Sequence, residues 1–360
     1  MALAGHSVVL IESRSEPGQE CSYCAAGGMQ RSNPVVDRDS WIAVSKCIFP
    51  SIWGNESGGQ FYKFFHISWY ETLTDPFFLR WITTFTKTSL WPDSSQVSRQ
   101  EEMLKFTKYA VEDMIRMMTD PKDNMARVSG FNSRGSFGVS YDQHAVETKA
   151  DVGEGAALRN PTSSKMSLEP HKQVLGTTNV TTQEPSLRFQ KEKPTSAKFE
   201  VEACSASSER FTRELASRCQ NDLGVNFLYE TTVKSIEMRY EEGSKPRIAH
   251  LRTNHGVIDI PDDAKVVVAA GAWTPRVLSL MNLYAPVYPL KGYAMSISAK
   301  ETLKADRSLR SNDLPSRIVS DTYMYTSRLG DEIRITSMAQ KHRRIQWVEY
   351  SAKWDRRRIS

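Results

Sequence analysis

Ser7 to Ile11 reads SVVLI and is followed at once by the acidic Glu12 and the turn-rich SRSEPGQE. This short run constrains the fold more than any other feature. A strand that shows one face to water alternates polar and apolar residues. A strand without that alternation has to be covered on both faces, as in a parallel sheet between helical layers. The expectation is therefore an α/β chain with a fully buried parallel strand here, Ala2 to His6 closing a preceding helix, and Glu12 at the strand's carboxyl end.

Length and composition set the frame for that strand. The chain has 360 residues, 39% of them hydrophobic and 25% charged. This is globular rather than collagen-like, coiled-coil or disordered, and long enough for two domains with a real core. Its five cysteines, Cys21, Cys24, Cys47, Cys204 and Cys219, are odd in number and widely spread. That pattern suits reduced thiols inside a cell better than a secreted disulfide framework, so an intracellular protein is expected, cytoplasmic or peripheral at a membrane. The net charge of +5 resides in residues 341–360, where seven Lys/Arg face two Asp/Glu; the remaining residues balance. A body without basic excess argues against nucleic-acid binding. No apolar run approaches the ~18 residues of a membrane span, and the first residues lack the order of a secretory signal.

Several elements follow from pattern. A helix is expected after Ser98, with Glu101 completing a capping box and Met103, Leu104, Ala110, Val111, Met114 and Met118 at helical spacing up to Asp120-Pro121. The segment DPFFLRWITTF predicts a second helix from Pro76. Residues 150–200 shift to Thr, Ser, Pro, Gly and Lys and read as a loop or poorly ordered insertion. Glu209 to Leu223 predicts a helix closed by Gly224. Asn226 to Ile236 predicts a strand, and RIAHLRTNHGVIDI a hairpin turning at His255-Gly256.

Three motifs carry chemistry. A carboxylate ending a buried strand can accept hydrogen bonds from ribose hydroxyls, as in dinucleotide-binding units; many ordinary α/β strands also end in Glu. SYCAAGGM (Ser22 to Met29) is a small-residue loop through which backbone N–H groups could approach a pyrophosphate or a flavin edge; it could equally be a flexible turn. VVVAAGAWTP predicts a strand from Val266 to Ala269, then Gly271, then a helix with Thr274 as N-cap and Pro275 at its first position. Cys21-Ser-Tyr-Cys24 is a CxxC. A zinc site needs about four ligands, and no second CxxC or paired-histidine spacing supplies them. A redox dithiol remains as the alternative reading.

In order, GHSVVLIE, SYCAAGGM, VVVAAGAWTP and YPLKGYAMSI resemble the D-amino acid dehydrogenase (small subunit) branch of the FAD-dependent D-amino acid oxidase superfamily, with LRW in DPFFLRWITTF and IRITSMAQ around Arg334 adding to the likeness. The resemblance implies a Rossmann-like FAD-binding domain, from 1–60 and 205–285, and an α+β substrate or cap domain with an antiparallel sheet, from 61–204 and 286–340. It implies a D-amino acid substrate, an electron acceptor other than oxygen, and a second, peripheral reading of the aromatic stretch 61–91 at a membrane surface. By the same resemblance Glu12 binds the adenosine ribose beside Ser13 and Arg14. Ser22, Ala26, Gly27, Gly28 and Met29 line the pyrophosphate and flavin. Val233 meets the adenine, and Ala270, Gly271 and Trp273 form a second cofactor-contacting turn. Gly292 belongs to a KGY turn near the flavin, from which the Tyr293 hydroxyl reaches the substrate carboxylate; a half-buried sheet tyrosine explains Tyr293 as well.

Two departures qualify the resemblance. The family's opening strand with its GxGxxG turn is not matched, and neither is its closing segment with an Arg-Pro and a second Gly-rich turn. The expectation is a chain truncated at both ends, with 341–360 a basic tail of unknown origin. Two alternatives stay open: an inactive fragment or paralogue lacking FAD binding, and another amine or amino-acid oxidase of the same superfamily.

Overall fold

The computed structural model describes residues 1–29, 41–42, 74–91, 94–121, 125–141, 172–190, 193–243, 245–289, 291–320 and 324–340. The first half holds β1 (Val9–Ile11), β2 (Gly28–Met29), α1 (Pro76–Leu90), α2 (Ser94–Thr119), α3 (Met125–Ser129), β3 (Ser136–Ser140), β4 (Lys172–Gly176) and α4 (Thr177–Gln183). Next come β5 (Ser196–Glu200), β6 (Cys204–Ser205), α5 (Ser208–Asn221), β7 (Asn226–Leu228), β8 (Val233–Arg239), β9 (Arg247–Thr253) and β10 (Gly256–Asp259). The last are α6 (Thr274–Ser279), β11 (Lys291–Ser298), α7 (Ala299–Ala305), β12 (Ile318–Ser320), β13 (Met324–Leu329) and β14 (Glu332–Gln340).

The dominant layer is a seven-stranded sheet in the order β11-β14-β13-β12-β3-β5-β4. All its pairings are antiparallel except that of β12 with β3. Side chains on paired strands share a face when directly opposite and alternate along each strand, so the register sorts this sheet into two chemistries. One face carries Phe137, Val139, Ala197, Val319 and Ile333. These residues pack against α4, the 3₁₀ turn at Pro185–Phe189 and α7, through Val180, Leu187 and Ala299, and against Leu314 in the segment before β12. The other face carries Ser136, Glu200, Tyr325, Ser327, Arg334 and Ser296.

The apolar face is closed at its margin by a buried carboxylate. Glu184 is wholly inaccessible and accepts hydrogen bonds from the Ser186 and Ser316 hydroxyls at 2.6 and 2.7 Å, with the Arg317 guanidinium at 3.4 Å. Arg317 in turn lies over the rings of Phe137 and Phe199. A buried charge persists only when paired and hydrogen-bonded in this way, and here it ties the segment after α4 to the start of β12.

Several elements differ from their sequence expectation for identifiable reasons. β1 is parallel, as expected, but among the described residues it pairs with β7 alone. Val9 and Leu10 are 54% and 41% exposed, so it is not fully buried. Asn226 to Ile236 is two strands rather than one, because the chain turns between them with Glu230 at φ 52°. Val266 to Ala269 forms no strand; apolar side chains make a strand only where a neighbour offers its backbone hydrogen bonds. Trp273, not Thr274, occupies the capping position of α6, so Pro275 is the second helical residue. The hairpin turns at Asn254-His255, since Gly256 already pairs with Thr253. The second half of the expected loop forms regular structure: 172–190 and 193–200 supply β4, α4 and β5; residues 142–171 and 191–192 lie outside those described. α2 begins at Ser94 rather than at Ser98 and stops before Asp120, as expected.

The two other expected helices form close to their sequence limits. Asp75 caps α1 by accepting from the Phe77 and Phe78 N–H groups, with Pro76 at the first helical position. α5 starts from Ser207, whose hydroxyl accepts from Arg210 N–H. The aromatic face of α1 is satisfied within the protein: Phe77, Phe78 and Trp81 pack against Tyr288, whose hydroxyl donates to Asp75 at 2.9 Å. Residues 61–73 of the aromatic stretch lie outside those described. No helix among the described residues is long and apolar enough to cross a membrane.

Phe137 is completely buried, at the centre of the apolar face. Phe137→Ala should cost about 3–5 kcal/mol through lost burial and the cavity left behind. Urea unfolding checks this; a loss below about 1 kcal/mol would show that the face is not the core.

Candidate functional site

The first half of the site grows from the end of β1. Glu12 accepts a backbone hydrogen bond from Arg14 N–H at 2.9 Å and one from the Ser13 hydroxyl at 3.2 Å, both on Oε1. Its Oε2 has no hydrogen-bond partner among the described residues. Its main chain is fixed between Leu228 and Thr231, donating to Leu228 C=O and accepting from Thr231 N–H, each at 2.9 Å. This brings Val233, the first residue of β8, within two residues of a direct contact with Glu12. Arg14 pairs with Glu20, whose other oxygen accepts from the Trp273 indole at 3.4 Å. The Ala270-Gly271-Trp273 turn is thereby joined to the loop after β1. Ala270 C=O accepts from Trp273 N–H at 2.9 Å. Gly271 has φ 52°, with open space where a Cβ would project, so its backbone is accessible to a ligand.

The second half is the loop from Ser22 to Met29, held against the polar face of the large sheet. Ser208, at the start of α5, donates to Ser22 C=O at 2.8 Å. Ser327 on β13 donates to Ala26 C=O at 2.6 Å. Ala206 N–H donates to Gly27 C=O at 2.9 Å. Gly28 and Met29 pair with Ser205 and Cys204 as β2 and β6, and the Met29 side chain enters a core of Met118, Met125 and Ala206. Gly27 has φ 75°, and a Cβ there would overlap Ala206 C=O; one on Gly28 would overlap the Tyr325 hydroxyl. The small residues of this loop therefore also permit close packing onto the protein behind it.

A buried arginine grips the middle of the loop. Arg334 on β14 is 3% exposed. Its guanidinium donates to Tyr23 C=O at 3.2 Å, Ala25 C=O at 3.0 Å and Ser296 Oγ at 3.2 Å, and is paired with Glu332. Arg210 reaches the same strand turn, donating to Leu329 C=O at 2.8 Å with Glu332 at 3.7 Å. Burial works to raise the Glu332 carboxyl, but Ser296 and Arg334 outweigh it and leave the group below its ordinary value. Burial, reinforced by Glu200, pushes the Tyr325 phenol well above its ordinary value, so it stays a neutral hydroxyl.

The sequence-predicted residues are thus brought together in two linked groups: Glu12, Ser13, Arg14, Val233, Ala270, Gly271 and Trp273, then Ser22 to Met29. Gly292 and Tyr293 are placed differently. The KGY segment is no turn; it opens β11, with an irregularity between these two residues. Tyr293, 44% exposed, alternates with Ser296 and lies on the opposite sheet face from Arg334. Sequence reasoning missed Glu20, Arg210, Tyr325, Ser327 and Glu332, and took Arg334 only as part of a likeness. One signal was present: in Ile333-Arg334-Ile335 a charge interrupts an apolar alternation, so the arginine faces away from the apolar core. No cluster of His, Cys, Asp or Glu among the described residues could hold a metal ion.

A family model described as FAD dependent oxidoreductase (DAO) matches residues 1–359, and the chain belongs to that family. It is an FAD-dependent oxidoreductase of mixed α/β architecture, as the resemblance led us to expect. The D-amino acid dehydrogenase of Rhizobium rhizogenes is 26% identical to it over 345 residues, 94% of this chain and 72% of that relative. The D-amino acid dehydrogenase of Granulibacter bethesdensis is 25% identical over 339 residues, 93% of this chain and 70% of the relative. The solved structure of glycine oxidase from Geobacillus kaustophilus shares the fold, with a TM-score of 0.52 at 15% identity, over 94% of this chain and 66% of that one.

Gly28→Ala should destabilise the protein by about 1–3 kcal/mol, because its Cβ meets the Tyr325 hydroxyl. Adding Tyr325→Phe removes that oxygen and should restore part of the loss. A double-mutant cycle read by thermal unfolding measures the coupling; strictly additive effects would show that the two residues do not touch.

Proposed function

We propose that FAD lies along the seam running from Glu12 to the Ser22–Met29 loop, and that the enzyme uses it to oxidise D-amino acids to 2-oxo acids and ammonia. The observation that carries this reading is the continuity of the seam. A carboxylate with one oxygen unengaged among the described residues ends a parallel strand, is linked through Arg14 and Glu20 to the open Gly271 turn, and is followed by a glycine loop held from behind. An elongated dinucleotide needs contacts of this kind in this order.

In this reading Glu12 Oε2 accepts from the ribose hydroxyls while Oε1 stays engaged with Arg14 N–H, so the carboxylate is oriented before the ligand arrives. Ser13 and Arg14 flank it, and Val233 meets the adenine through its backbone. Ala270, Gly271 and Trp273 form one wall. Ser22, Ala26, Gly27, Gly28 and Met29 present the other end, kept in place by Arg334 and Ser327. Gly292 lies beyond, on β11. FAD bound there would supply the hydride acceptor for oxidation of the substrate α-carbon. The protein's share is to orient the two reacting atoms and keep water from between them. Residues 1–60 and 205–285 make up the cofactor-holding part, and 61–204 with 286–340 the covering part. The substrate class, and an electron acceptor other than oxygen, rest on the relatives named D-amino acid dehydrogenase.

The test is the visible spectrum of the purified chain with FAD, before and after anaerobic addition of D-alanine. A flavin band that bleaches supports the proposal, and a protein that takes up no flavin overturns it. Glu12→Ala should weaken FAD binding by about tenfold or more, the scale of a hydrogen bond to a charged group. An unchanged dissociation constant would remove Glu12 from the cofactor contacts.

A further inference from the structure

Cys21 and Cys24 stand three positions apart in ECSYCAAGGM, and neither has a part in the cofactor contacts proposed above. Both are free thiols and both are exposed. The chain turns between them: residues 21–23 form a turn in which Tyr23 N–H donates to Glu20 C=O at 3.0 Å, and Cys24 follows in a bend. That turn holds the α-carbons of Glu20 and Tyr23 within about 7 Å, with Cys21 inside it and Cys24 directly after it. A disulfide requires α-carbons about 4.4–6.8 Å apart, a spacing that local movement of this turn can supply.

The surroundings of Cys24 give that movement a consequence. The carbonyls on either side of it, Tyr23 and Ala25, are the two gripped by Arg334, at 3.2 and 3.0 Å. The Ser22 carbonyl is held by Ser208. Four residues further on lies Gly28, packed against Tyr325. Drawing Cys24 towards Cys21 therefore strains the hydrogen bonds that seat the glycine loop. A buried guanidinium that loses its acceptors cannot readily replace them with water, so displacing the loop carries a cost at Arg334.

We propose that Cys21 and Cys24 form a reversible disulfide that sets how tightly the adjoining glycine loop holds FAD. The inference rests on the reading of that loop as part of the cofactor seam. The oxidant is a low-molecular-weight disulfide of the glutathione type. The Cys21 thiolate attacks one of its sulfurs and releases one thiol. Cys24 then attacks the Cys21 sulfur and releases the second. The two protein thiols lose two protons and two electrons, and the reagent's S–S bond is reduced to two thiols. Burial pushes the Cys24 thiol up, against a downward pull from Arg334, so less of it is ionised and its attack on the Cys21 sulfur is the slower of the two steps.

The experiment exposes the purified full chain to oxidised glutathione and follows it by intact mass and by peptide mapping after thiol alkylation. FAD dissociation constants are then compared for the reduced and oxidised protein by flavin fluorescence. The expected result is a Cys21–Cys24 disulfide, reversed by dithiothreitol, with FAD held about tenfold more weakly in the oxidised form, the scale of losing one hydrogen bond to a charged group. Cys21→Ser and Cys24→Ser should form no such disulfide, and their FAD affinity should not respond to the oxidant. Thiols that stay alkylatable after oxidation overturn the proposal. A disulfide that leaves FAD affinity unchanged overturns it too, while the cofactor seam stands. If the reduced protein takes up no FAD, the cofactor reading fails first and the proposed control of affinity fails with it.

Discussion

Arg334 is the residue on which the geometry of the candidate site depends. Its guanidinium is buried, and a buried charge is tolerated only when its donors are matched and a counter-charge is near. Glu332 supplies the charge, Ser296 one acceptor, and the carbonyls of Tyr23 and Ala25 the others. Two of its partners thus come from a loop more than three hundred residues earlier. The demand for satisfaction runs both ways, because the arginine cannot be buried without the loop, and the loop is fixed by the arginine.

The two-faced sheet makes that arrangement possible. One face is filled by Phe137, Val139, Ala197, Val319 and Ile333 under short helices. This leaves the opposite face free for Ser136, Tyr325, Ser327 and Arg334. A period of two residues keeps the chemistries apart without separate elements for each. The polar face then serves as a bed for Ser22 to Met29, with hydroxyls and a guanidinium aimed at main-chain carbonyls. Gly27 and Gly28 belong to this packing as much as to any ligand, since side chains there would strike Ala206 and Tyr325.

The Glu12 end of the candidate site is built on a different principle. Glu12, Arg14, Glu20 and Trp273 are joined by ion pairs and hydrogen bonds at the surface, and β1 has only β7 beside it among the described residues. Surface ion pairs contribute little to stability. The same exposure leaves Glu12 Oε2 and the Gly271 backbone open to a ligand. The seam is therefore rigid at the glycine loop and open at the carboxylate.

What the sequence by itself determined was local. SVVLI followed by Glu12 specified a short strand ending in a carboxylate, because β-branched side chains favour extended backbone within a few residues; the burial on both faces that the missing alternation implied did not follow. Asp75 and Ser207 specified where two helices begin, because a cap satisfies N–H groups in its own first turn. The small-residue loop and the family likeness were legible for the same reason. Tertiary structure decided the rest. It left Val266 to Ala269 without a strand neighbour, brought β4 and β5 into the large sheet, placed Tyr293 on the face away from the loop, and set Arg334, Tyr325 and Ser327 beneath Ser22 to Met29. None of these could be read from neighbouring residues, since strand partners and the acceptors of a buried charge lie far away in the chain and exist only once the sheet has formed.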